Sequence, residues 1–103
     1  MGGSGEGANP EQLFAAGYAA CFHSALNMVA KDKGADITDS AVGARVTLNN
    51  GSEGFFISVE LEVTIPGANK ETAQALADAA HEACPYSKAT RGNIDVNVTV
   101  AED

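Results

Sequence analysis

Residues 55–65 read FFISVELEVTI. Phe55, Ile57, Val59, Leu61, Val63 and Ile65 take one side of an alternation, and Glu60, Glu62 and Thr64 take the other. A period of two with one polar face predicts a half-buried strand. Immediately upstream, AVGARVTL (41–48) repeats the pattern with Val42, Ala44, Val46 and Leu48. The intervening NNGSEG (49–54) is dense in turn residues and predicts a hairpin. Near the end of the chain, NIDVNVTV (93–100) supplies a third strand, with Ile94, Val96, Val98 and Val100 in phase.

On either side of the hairpin the period lengthens to that of a helix. NPEQLF (9–14) is a helix start: Asn9 can cap free N–H groups, Pro10 suits the first position, and Gln12 sits where a capping-box partner belongs. Leu13, Gly17, Ala20, Cys21, Ser24 and Met28 then recur at helical spacing, a mostly small inner face suited to packing on another helix. Lys31, Lys33 and Gly34 mark the end. The segment PGANKETAQALADAAHEACPYS (66–87) predicts a second helix opening at Asn69 or Lys70. Its stripe is Ala73, Leu76, Ala77, Ala80, and Ala83 or Cys84, and Pro85 resists continuing it. The order α-β-β-α-β places the chain in the α+β class, with central helices packed on an antiparallel sheet. Residues 1–8 read as a Gly-rich lead-in, and residues 9–103 as one domain.

Bulk properties exclude several functions. The formal charge is −8 and no basic stripe is present, which argues against nucleic acid and anionic membrane surfaces as partners. No apolar run approaches the roughly 20 residues of a membrane span. The opening MGGSGEGANP has neither the basic nor the apolar region of a secretory signal, so a cytoplasmic location is expected. Its glycines do not form a phosphate loop, lacking the lysine and the preceding strand.

The chemistry rests on Cys21 and Cys84, the two cysteines. In a reducing compartment a transient disulfide is expected over a permanent one. Three readings stand open at this point: buried core residues, half of a zinc site with His23 and His81, or a reactive pair. His23 lies two residues from Cys21 and points to a different helix face, whereas His81 and Cys84 can share one. His81 otherwise reads as a solvent-facing residue. Cys84 stands at a helix C-terminus, whose negative pole raises a thiol pKa; that suits a resolving partner better than a first attacker. Glu11 is either dipole compensation or a site carboxylate. Ten residues of straight helix set it about 15 Å from Cys21. Sharing a site then needs a bend near Gly17 or the Cys21 of another subunit. Arg45 and Arg91 are the guanidiniums available to stabilise a thiolate.

Two segments, NPEQLFAAGYAACF (9–22) and ACPYSKATRGNIDV (83–96), closely resemble the organic hydroperoxide resistance (Ohr) proteins of the OsmC-like superfamily. The likeness runs from about Gly2 to Val100. It implies a thiol peroxidase with Cys21 peroxidatic, Cys84 resolving and Glu11 an orienting carboxylate. It also implies an apolar substrate pocket of Leu13, Phe14, Tyr18 and Phe22. No bound cofactor or metal is implied; the reductant would be an external dithiol, characteristically a lipoyl group on a partner protein. The family forms intertwined homodimers with active sites at the subunit interface. It carries a catalytic arginine on an N-terminal β-segment upstream of the Gly-rich loop. This chain begins at that loop, so an N-terminally truncated member with impaired activity is the expectation. Against the peroxidase stand a non-catalytic OsmC-like dimeric remnant and a small zinc-binding module.

Overall fold

The computed structural model describes residues 9–101, so the lead-in expected over residues 1–8 lies outside the described residues. Helix α1 spans Pro10–Lys33. Its start is the expected capping box: Asn9 Oδ1 accepts from the Gln12 amide at 2.8 Å, and Gln12 Oε1 accepts from the Asn9 amide at 3.1 Å. It stops at Gly34, whose φ of 67° is left-handed and costs glycine nothing.

Strands β1 (Ala41–Gly51) and β2 (Gly54–Thr64) pair antiparallel, with Val42 opposite Val63, Ala44 opposite Leu61 and Val46 opposite Val59. Ser52 and Glu53 form the turn between them. Helix α2 (Lys70–Ala83) is capped by Asn69, which accepts from Thr72 N. A short helix α3 (Pro85–Thr90) follows directly, and strand β3 (Val96–Val100) ends the sheet.

The α+β class holds, with two corrections. The sheet, in the order β1-β2-β3, is mixed rather than antiparallel, because β3 runs parallel to β2. A parallel neighbour cannot be reached by a hairpin; it needs a crossover, and α2 with α3 provides one. The order is therefore α-β-β-α-α-β. Pro85 does end α2, but its fixed φ also makes it the first residue of α3.

Helices and sheet share one core. Tyr18, Phe22 and Leu26 of α1 meet Val59, Leu61 and Val63 of β2 and Leu76, Ala77 and Ala80 of α2. The buried face of α1 differs from the stripe expected from spacing. Tyr18, Phe22, Ala25, Leu26 and Ala30 are buried, while Leu13 and Met28 remain 63% and 53% exposed. With alanine around most of the helix, small-residue spacing does not select a face; burying the rings does, since burial free energy scales with apolar area. The expectation that no apolar run approaches the length of a membrane span also needs correction. By length and composition α1 could cross a membrane, with a mean hydropathy of 1.3 over its most apolar window. Tyr18, Phe22 and Leu26 of this helix are spent on the core just described, while Leu13 and Met28 stay exposed.

Candidate active site

The two thiols, 63 residues apart in sequence, are brought together by the packing of α1 against the α2–α3 corner. Cys84 Sγ lies 3.4 Å from Cys21 Sγ, and both are free thiols. A disulfide bond is about 2.05 Å long, so closing it needs a movement of little more than an ångström. Cys84 is fully buried and Cys21 partly so. Cys84 is at once the C-cap of α2 and the N-cap of α3. Its expected place at a helix C-terminus holds, and the structure adds that it also opens α3.

Burial pushes the Cys21 thiol above its ordinary pKa; the Tyr86 backbone N–H works against this, and the neighbouring Cys84 thiol adds to it. Neither guanidinium is in place to reverse the shift. Arg45 sits on the exposed sheet face, 3.8 Å from Glu60, and Arg91 donates to the His81 carbonyl at 2.9 Å.

An aromatic cluster links α1, which carries Cys21, to α3, which Cys84 caps. Phe14 and Tyr86 stack at 5.9 Å, and Tyr18 meets both rings edge-on, at 5.8 Å from Phe14 and 5.7 Å from Tyr86. Gly17 makes room for this: a Cβ there would lie 3.3 Å from Tyr86 Oη. Of the four expected pocket residues, Leu13 is exposed and Phe14 partly buried, while Tyr18 and Phe22 are fully buried. Tyr18 packs against Phe14, and neither Tyr18 nor Phe22 reaches the surface.

Glu11 is in the first turn of α1, far along the helix from Cys21. Its Oε2 is buried, and it is the one such side-chain polar atom without a hydrogen-bond partner among the described residues. His23 Nε2 is 2.9 Å from Ser40 Oγ. The expectation of a solvent-facing His81 is overturned: its Nδ1 lies 2.7 Å from Ser87 Oγ, and burial, reinforced by Arg91, lowers its pKa. No group of three or more His, Cys, Asp or Glu that could hold a metal ion occurs among the described residues. The sequence pattern did not reveal Ser87 as the partner of His81 or the separate helix α3. The proline after Cys84 was the available signal, since it suits the first position of a helix as well as opposing a continuation.

The family model described as OsmC-like protein matches residues 3–99. The organic hydroperoxide resistance protein of Xanthomonas axonopodis pv. citri (strain 306) is 50% identical over 101 residues, 97% of this chain and 71% of the relative. The crystal structure of the organic hydroperoxide resistance protein OhrB of Bacillus subtilis is similar with a TM-score of 0.88 and 52% identity, covering 92% of this chain and 71% of that one. That of an organic hydroperoxide resistance protein from Elizabethkingia anophelis gives 0.90 and 49%, covering 95% and 71%.

Proposed function

This chain belongs to the OsmC-like protein family, and from that membership we propose that it is a thiol-dependent peroxidase reducing organic hydroperoxides to alcohols. The observation that carries the reading is the 3.4 Å approach of Cys84 to Cys21. Core cysteines have no need to meet; a peroxidatic and a resolving thiol must.

The Cys21 thiolate attacks the outer oxygen of the hydroperoxide. The O–O bond breaks, an S–O bond forms, and the alkoxide leaves as an alcohol after taking a proton. Cys21 is then a sulfenic acid. Cys84 attacks its sulfur, forming the disulfide and releasing water. A dithiol reduces that disulfide by exchange and is itself oxidised. A lipoyl group on a partner protein is the proposed source, and a cytoplasmic setting suits a cycle that returns to free thiols. Leu13 and Phe14 offer apolar contact to an alkyl or fatty-acyl substrate, which favours it over hydrogen peroxide.

Glu11 is the proposed orienting carboxylate. A buried carboxylate oxygen without a partner is costly, a condition that suits a group acting on a cation or residue brought to it. Its distance from Cys21 along α1 points to the thiol of a second copy, and the exposed Leu13 and Met28 give a homodimer apolar surface to cover.

The test is turnover of cumene hydroperoxide with dihydrolipoate as reductant. Cys21→Ser should abolish consumption. Cys84→Ser should permit one reduction and then stall or overoxidise. Consumption by Cys21→Ser at the native rate would refute the mechanism.

A further inference from the structure

Cys21 and Cys84 sit on different helices, so something must hold those helices in register. Tyr18 precedes Cys21 by three residues on α1 and is fully buried. Its Oη is 2.8 Å from Ser87 Oγ and 3.2 Å from Thr90 Oγ1. Ser87, also fully buried, has its Oγ 2.7 Å from His81 Nδ1. His81 and Ser87 flank Cys84, three residues away on either side. A polar chain His81–Ser87–Tyr18 thus runs from α2 through α3 to α1, and each of its members lies three residues from a cysteine. Thr90 Oγ1 donates to the Ser87 carbonyl at 3.2 Å, and Arg91 holds the His81 carbonyl.

Apolar packing tolerates sliding, whereas a buried and satisfied hydrogen-bond network admits few arrangements. The network here straddles the Pro85–Tyr86 step, which presents the Tyr86 N–H to Cys21, with Cys84 beside it. Resting on the peroxidase reading, we propose that Tyr18, Ser87 and His81 are positioning residues for disulfide closure. They hold Cys84 on Cys21, so that Cys84 captures the Cys21 sulfenic acid before a second hydroperoxide does. The competing event transfers another oxygen to the sulfenic acid, giving a sulfinic acid and a second alcohol, and removes the protein from the cycle.

Closure can be followed without peroxide. Diamide adds across its N=N bond to one thiolate; the second thiol then attacks that sulfur and releases the hydrazine. Mass spectrometry of the reduced full chain follows the Cys21 adduct as it is replaced by the Cys21–Cys84 disulfide. The expectation is that Tyr18→Phe, Ser87→Ala and His81→Leu slow this second phase by at least about tenfold, as an ångström-scale misplacement does. His81→Asn, whose amide can occupy the Nδ1 position, should recover most of the rate. With excess cumene hydroperoxide, the slowed variants should accumulate sulfinic Cys21 at a lower excess than the parent. Tyr18→Phe preserves the ring and decides the matter if Ser87→Ala does not fold. Closure as fast as the parent in folded Tyr18→Phe and His81→Leu overturns the proposal. So does equal slowing by His81→Leu and His81→Asn. A parent that ignores peroxide but closes rapidly with diamide, in a manner sensitive to these substitutions, sinks the peroxidase reading and leaves the positioning role standing.

Discussion

The Cys21 thiol combines proximity to its partner with a weak acidity. Burial holds it above the ordinary thiol range, and the Tyr86 amide only partly offsets this. Near neutral pH little of it is thiolate, and the thiolate is the nucleophile. The rate of Cys21 alkylation by iodoacetamide, mapped by mass spectrometry, should therefore still be rising where an ordinary thiol has levelled off. A plateau reached below the ordinary thiol range would show that a cation or dipole outside this account governs Cys21. At this scale the sequence made the cysteines legible as candidates through type and family motif. It did not show their contact, because 63 intervening residues decide that. Nor did it show the partner of His81, which is a serine beyond a helix boundary.

The helices and strands were the most legible level. Strand alternation and the capping box of α1 are local signals, and local chemistry settled them: Asn9 and Gln12 exchange side-chain-to-backbone bonds as the spacing requires. Asn9→Ala should lower stability by about 1 kcal/mol, read by urea denaturation. A loss well below that would mean α1 is held by its packing alone. The face of α1 and the separate helix α3 were less legible. In an alanine-rich helix period alone leaves several stripes possible, and the aromatic residues decide among them through tertiary burial. For α3, six residues counted from the proline are too few to show a period.

Across the whole molecule, the crossover from β2 through α2 and α3 to β3 makes the sheet mixed and carries Cys84 back over α1. No local pattern encodes that, since the direction of β3 depends on where the preceding helices pack. The same corner partly buries His81 and disfavours its charged form. Its lowered pKa comes first from burial and then from Arg91, against the opposing pull of Glu82 and Asp78. The unfolded chain binds the proton more readily than the folded one. The stability His81 allows is thus complete above the ordinary histidine value and is lost as pH falls through it. The thermal midpoint should drop on acidification from about pH 7 to 5, and His81→Asn should flatten that slope. An unchanged slope would assign the acid sensitivity to other groups.

The most direct test of the central claim, a peroxidatic Cys21 resolved by Cys84, is the intact mass of the reduced, folded protein after one equivalent of cumene hydroperoxide. Resolution by Cys84 gives a loss of two hydrogens, with peptide mapping placing the new disulfide between Cys21 and Cys84 of one chain. Two free thiols in the folded protein, with the hydroperoxide unconsumed, would contradict it.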